Sequence, residues 1–248
     1  MNNRRLSRSR VVPVSVAPYV STSPETISIV FATRGRPQGM RDFYQSLKDT
    51  SRVMPEVCVY IDDDDIPETL ATIKDLGIKY IQGPRHTLSQ CCNEAAVLAT
   101  GSILMYCGDD YRFREKDWDV KVITEFNKSK DKIIFVYGDD GKCGRRLGTC
   151  GFIHRRWVDT VGYFNPPYFS SWCIDGWIND IAESLGRRVY LDFVLAEHLH
   201  PMNGTAEMDS TYEFGYPLHD LNMQILNDPE HVAIRQADAE KLRKLLGA

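Results

Sequence analysis

Short, almost wholly apolar runs recur along this chain, each ending in a polar turn and followed by a stretch of helical period. Thr26 to Ala32 (TISIVFA) is rich in β-branched residues, the profile of a strand covered on both faces. Beyond Thr33-Arg-Gly-Arg-Pro37, the apolar residues Met40, Phe43, Tyr44 and Leu47 fall at helical spacing. The unit then repeats. Glu56 to Ile61 is a second strand running into Asp62-Asp-Asp-Asp65, Pro67 to Leu76 a short helix stopped by Gly77, and Ile78 to Ile81 a third strand. Thr87-Leu-Ser-Gln90 has the form of a capping box and predicts a helix reaching Thr100. A fourth apolar run from Ile103 ends abruptly in the adjacent acids Asp109 and Asp110.

Strands and helices alternating in this order predict an α/β fold, a mostly parallel central sheet flanked by helices. The turns after strands one, two and four then gather on the carboxyl edge of the sheet, where open α/β sheets place their ligands. They carry Arg34 and Arg36, Asp62 and Asp63, and Asp109 and Asp110. Cations and carboxylates sharing one edge suggest a phosphorylated, nucleotide-bearing ligand. Farther on, Lys132 to Tyr137 and Gly151 to His154 read as strands and Arg155 to Val161 as a helix. Ile174, Trp177, Ile178, Ile181 and Leu185 mark another helix, closed by Gly186, and Arg188 to Leu195 a last strand. The chain therefore divides into an irregular tail (1–24), a domain (25–201), and a lid-like loop with two C-terminal helices packing on that domain (202–248). The helices are expected near 217–227 and 229–246, and they offer a surface for oligomerisation.

At 248 residues and 43% hydrophobic, the chain can bury one sizeable core. A net charge of −4 gives no general attraction to nucleic acid or anionic lipid, although Arg4, Arg5, Arg8 and Arg10 make the tail locally basic. No apolar stretch approaches the roughly 20 residues needed to span a bilayer, and no signal-peptide block opens the sequence. Seven cysteines, an odd number with no Cys-x-x-Cys pair, point to reduced thiols in the cytoplasm, a host's cytoplasm if the protein is viral.

Adjacent aspartates repel, and at the mouth of a buried strand they need either water or a hard cation. An isolated Asp-Asp pair fits a solvated loop as well as a metal site, so its surroundings decide. Those surroundings resemble the nucleotide-sugar-dependent glycosyltransferases of the GT-A fold, in particular the large inverting family 2-like group with many bacterial and viral members, bacteriophage enzymes among them. The resemblance runs over residues 26–201. It is carried by the turn Thr33-Arg34-Gly35-Arg36-Pro37, by Asp62 and Asp63 after the second strand, and by the segment from Arg85 to Asn93-Glu94-Ala95. It continues through Cys107-Gly108-Asp109-Asp110 in place of Asp-x-Asp-Asp, Gly151-Phe152 with Arg155-Arg156, Gly162-Tyr-Phe164, Asp175, and Glu197-His198-Leu-His200-Pro201.

The resemblance implies a metal-dependent, inverting transferase that moves a sugar from a nucleotide donor, uridine-based, to an acceptor hydroxyl. Thr33, Arg34, Arg36, Asp62, Asp63, Arg85, Asn93, Gly108 and Asp109 would hold the donor. Asp109 and Asp110 with His198 or His200 would hold Mn²⁺ or Mg²⁺. Asp175 would be the general base, although an Asp opening a helix also makes a good N-cap. Gly151, Trp172 and Trp177 would line the acceptor side, where aromatics serve equally well as core. The acceptor is a glycan, a small molecule or a hydroxymethylated DNA base. Asp64 and Asp65 read as solvated acids, Asp139-Asp140-Gly141 as a turn, His86 and His154 as structural, and 202–216 as a lid or a plain linker. A sugar-phosphate nucleotidyltransferase and a non-catalytic sugar-nucleotide-binding module are the competing readings.

Overall fold

The computed structural model describes residues 24–247; the four arginines of the basic tail lie outside them. Four strand-and-turn units open the chain. β1 (Ile27–Thr33), β2 (Glu56–Asp62) and β3 (Lys79–Gly83) are joined by α1 (Pro37–Thr50) and α2 (Pro67–Asp75), and α3 (Leu88–Ala95) leads into β4 (Ile103–Tyr106). After them come β5 (Tyr111–Phe113), α4 (Trp118–Lys128), β6 (Phe135–Asp139), β7 (Gly151–His154), α5 (Arg155–Val161), α6 (Ile174–Ser184), β8 (Arg188–Val194) and β9 (Ala196–His198). Three further helices follow: α7 (Ser210–Gly215), α8 (His219–Asn227) and α9 (Pro229–Arg243). Seven strands form one sheet in the order β3-β2-β1-β4-β7-β6-β8, in which β7 is antiparallel to both of its neighbours. β5 and β9 pair separately as an antiparallel two-stranded ladder.

Alternate residues of the central strands feed two cores. Ile29, Phe31, Val57, Val59, Ile61 and Met105 pack with Phe43 and Leu47 of α1 and Trp118 and Phe126 of α4 on one face. Val30, Cys58, Tyr60 and Leu104 pack with Cys92, Trp157, Trp177 and Leu242 of α3, α5, α6 and α9 on the other. Burial on both faces is why these strands carry almost no polar alternation. Among the described residues, no helix is long and apolar enough to cross a membrane.

Several expected elements shift. α3 stops at Ala95 and gives way to a 3₁₀ turn over Ala96–Leu98, short of the predicted Thr100, although the capping box forms as expected. The strand expected from Lys132 begins at Phe135, because the Asp131 carboxylate draws in the Ile133 N–H at 3.0 Å and Lys132 takes a φ of 61°. α4 was not anticipated: Val120, Val122, Ile123 and Thr124 are weak helix formers. Its helix is stabilised by tertiary burial of Trp118, Val122 and Phe126, spaced four apart. The expected loop at 202–216 contains the six-residue helix α7.

Candidate active site

β4 is buried at all four positions, and the chain leaves it through Cys107 and Gly108 before presenting its two acids. A Cβ on Gly108 would stand 2.5 Å from Asp110 Oδ1, so any side chain there would displace the Asp110 carboxylate. Asp109 is 3% exposed. Thr33 Oγ1 donates to its Oδ2 at 2.5 Å, and Arg36 Nη1 to its Oδ1 at 2.9 Å. Burial pushes the Asp109 carboxyl above its ordinary range, with Arg36 opposing and Asp110 adding to the rise. Asp110 goes the other way: its burial is outweighed by His198, Arg36 and the Tyr212 hydroxyl, which donates to Oδ2 at 2.6 Å. Cys107, standing where the resemblance expects an acid, is a thiol raised far above its usual range by burial and brings no charge.

Arg36 also reaches Asp209, Nε to Oδ2 at 2.7 Å and Nη2 to Oδ1 at 3.1 Å, and stands 4.6 Å from the Tyr212 ring centroid. Arg34 Nη1 bonds Asp62 at 2.7 Å and Asp64 at 2.5 Å. Asp65 accepts the Gly35 N–H at 3.0 Å. Asp64 and Asp65 are therefore not free solvated acids; they fasten the β2–α2 turn to the β1–α1 turn. Asp63 is exposed beside them, and the Arg85 guanidinium lies 4.1 Å from the Phe214 ring centroid. Asn93 departs from its expected role. Its Oδ1 accepts the N–H groups of Phe164 and Asn165 at 2.9 and 2.8 Å and its Nδ2 donates to the Asn165 carbonyl at 2.8 Å, so its amide is engaged in holding a loop.

The β5–β9 ladder places His198 opposite Tyr111, whose ring stacks on the imidazole at 4.2 Å and whose hydroxyl stands 3.1 Å from Nδ1. Nε2 is then left 3.7 Å from Asp110 Oδ2. His200 points elsewhere: its Nδ1 accepts the Met202 N–H at 3.2 Å, and it is 6% exposed among Trp172, Tyr212 and Tyr216. Of the two histidines expected as alternatives beside Asp109 and Asp110, His198 is thus the one that stands near Asp110. Among the described residues, no three His, Cys, Asp or Glu side chains are already gathered into a cation cage. Asp109 and Asp110 with His198 nearby still suit a hard divalent ion of the kind that takes one or two carboxylates and completes its shell with phosphate and water.

Asp175 occupies the second position of α6, whose N-cap is Cys173 at a φ of 73°. Its Oδ1 accepts the Gly176 N–H at 2.8 Å, and burial raises its carboxyl above the ordinary range while His198 pulls it down and Asp140 pushes it up. Asn179 carries the Asp175 carbonyl on Nδ2 at 2.8 Å and clasps both the N–H and the carbonyl of Gly148 at 3.3 Å, pinning the start of α6 to the sheet edge. His198 and Asp140 also line a cleft of ≈ 720 Å³ with Arg114, Lys142, Val194 and Met202. Asp139 and Asp140 hold a turn, accepting the N–H groups of Gly141, Lys142, Cys143 and Gly144.

Of the expected acceptor-side residues, Trp172 is partly exposed and donates to the Gly215 carbonyl at 3.0 Å. Trp177 is fully buried with its N–H on Tyr163 Oη at 2.9 Å, and Gly151 lies under the Phe135 ring, where a Cβ would stand 2.2 Å away. Both support the site from behind and offer no face to an acceptor. His86 stands 3.6 Å from Glu94, and His154 caps α5 by accepting the Arg156 N–H. Sequence reasoning missed Asp209 and Tyr212; the available signal was Asp209-Ser-Thr-Tyr, an N-cap followed by a helical start.

No protein-family model matches the sequence, and no curated protein does. Solved structures match with probability 1.00. A mannosyltransferase from Pyrobaculum calidifontis, in complex with GDP-Man and Mn²⁺, aligns over 88% of this chain and 74% of its own at 11% identity and a TM-score of 0.57. Glucosyl-3-phosphoglycerate synthase from Mycobacterium tuberculosis, in complex with Mn²⁺ and UDP-glucose, aligns over 82% and 78% at 12% identity, TM-score 0.56. TarS 1-349 of S. aureus, in complex with UDP, aligns over 88% and 70% at 15% identity, TM-score 0.53. The fold is GT-A. Its carboxyl sheet edge is where Arg34, Arg36, Asp62, Asp109 and Asp110 stand together.

Proposed function

We propose that this chain is a divalent-metal-dependent, inverting glycosyltransferase of the family 2-like kind, acting in the cytoplasm on a nucleotide-sugar donor. One observation carries the reading: Arg34 and Arg36 stand with Asp62, Asp109 and Asp110 at the carboxyl edge of the sheet, Arg36 2.9 Å from Asp109 and His198 3.7 Å from Asp110. The fold neighbours, bound to GDP-mannose, UDP-glucose or UDP, support a nucleotide-sugar donor. Arg36 and Arg34 are placed to receive the diphosphate, since guanidinium groups pair with phosphate in bidentate fashion. Asp62, which ends β2, and Asp63 beside it would take the base and ribose.

Asp109 and Asp110 would hold a divalent cation, which when bound would offset the charge that grows on the departing diphosphate. Asp175 takes the proton of the acceptor hydroxyl as its oxygen forms the bond to the anomeric carbon. The bond from that carbon to the diphosphate breaks on the opposite face, inverting the configuration. A partly buried carboxylate whose proton affinity is raised is the stronger base for that step. The acceptor's carrier, whether glycan, small molecule or DNA base, meets the ≈ 720 Å³ cleft beside His198.

A thermal-shift panel of UDP, GDP and their sugars, with and without Mn²⁺, tests the reading. One nucleotide is expected to stabilise the protein only with metal, by about 2.7 kcal/mol at 100 times its dissociation constant. The Asp109→Asn variant should lose that metal dependence. Metal-independent shifts of equal size in both proteins would sink the assignment.

A further inference from the structure

α7 and the acid that caps it lie across the cations assigned above to the donor. Asp209 takes the Arg36 guanidinium through two bonds, at 2.7 and 3.1 Å. Thr211 Oγ1 reaches the Arg34 carbonyl at 3.5 Å, and Phe214, 54% exposed, carries Arg85 over its ring. The Trp172 N–H fastens the far end at Gly215. A carboxylate held fork-on by a guanidinium reproduces the way a phosphate would sit there, and an aromatic ring beneath a guanidinium reproduces a stacked base. Asp209 and Phe214 are five residues apart along one short helix, about 7.5 Å of rise. The acid lies at the end nearer Asp109 and the ring at the end nearer β3, the order in which a nucleotide would lay its diphosphate and its base.

The space left beneath α7, lined by Arg36, Asp109, Asp110, Asp209 and Tyr212, is ≈ 120 Å³. Ligand pockets run from about 300 Å³ upward, so a nucleotide sugar does not fit under α7 as it stands. We propose that α7 is a tethered stand-in for the donor. Asp209 holds the diphosphate position on Arg36, Phe214 holds the base position on Arg85, and the incoming nucleotide competes with the strap for the same cations. The proposal rests on the donor reading above, and it differs from a simple lid in sign. A lid adds contacts to a bound donor, so weakening it loosens the nucleotide; a competing strap, once weakened, lets the nucleotide bind more tightly.

Calorimetric titration of UDP and GDP, each with Mn²⁺, into the full chain and into Asp209→Asn and Phe214→Ala decides between them. Asparagine keeps the cap of α7, now made to the Thr211 and Tyr212 N–H groups at 3.0 Å, while removing the charge that Arg36 holds. Both variants are expected to bind the nucleotide about tenfold more tightly if the strap keeps the site closed nine-tenths of the time. In the ligand-free Asp209→Asn protein, the amides of 210–215 should exchange faster than in the wild type, with those of β1 and β4 unchanged. Tight wild-type binding that weakens or stays equal in both variants overturns the strap's role alone. Failure of all three proteins to bind either nucleotide removes the donor reading and the proposal with it.

Discussion

Two acidic corners of this sheet edge are built in opposite ways. At the Asp109–Asp110 corner, every carboxylate has an opposite charge or a hydroxyl against it: Arg36, Thr33, Tyr212 and His198. At the Asp175 corner, the carboxylate accepts one backbone N–H and is lifted by burial. Compensated acids bind, because their charge is already stabilised and can be exchanged for another cation. Burial raises the proton affinity of Asp109 as well as that of Asp175, so the corners differ in their partners: a guanidinium and a hydroxyl on Asp109, a backbone N–H on Asp175.

Neutralising the poorly compensated corner should cost most. Asp175→Asn is expected to lower kcat by about 10²–10⁴-fold while leaving the metal-dependent nucleotide shift intact. Steady-state rates beside the thermal-shift panel check this; loss of both together would mean that Asp175 holds the donor and is no base. A smaller effect lies in the pH profile. Because burial raises the Asp175 carboxyl, the acidic limb of kcat/KM should fall above the ordinary aspartate value of about 3.9, dropping tenfold per pH unit below the limb. A profile flat down to pH 4 would show that the base is not lifted.

The smallest effect extends the contrast to the opposite end of the sheet. Glu56 at the start of β2 is compensated like the donor corner: burial acts against it but is outweighed by Lys79, the Ser28 hydroxyl and the Thr100 N–H and hydroxyl. Its carboxyl falls from 4.5 to about 2. A carboxyl lowered on folding contributes stability fully above the unfolded value, and loses it as pH falls from 4.5 through about 2. Glu56→Gln should therefore cost about 1–3 kcal/mol in urea unfolding at pH 7, and the gap to wild type should close near pH 2.

What the sequence disclosed followed from how local each cause was. β1, β2 and β4 were legible because burial on both faces leaves an unbroken apolar run, and the Thr87–Gln90 capping box because its two bonds span three residues. Asp109 and Asp175 were legible as acids at element ends. The pairing of Arg34 with Asp64 was not, since 30 residues separate them and only the parallel β1–β2 register brings their turns together. Asn93 looked like a donor ligand because its loop partners, Phe164 and Asn165, lie more than 70 residues away. Asp209 reaches Arg36 from 173 residues off, a contact that no local pattern encodes.

The three-rung ladder between Tyr111 and Phe113 on one side and Ala196 and His198 on the other sets the gauge of the whole edge. Tyr111 directly follows Asp110, so the spacing between imidazole and carboxylate is inherited from strand pairing rather than from side-chain choice. Slipping that ladder by a single residue would set Glu197 or Leu199 opposite Tyr111 and take the imidazole off the ring it stacks on.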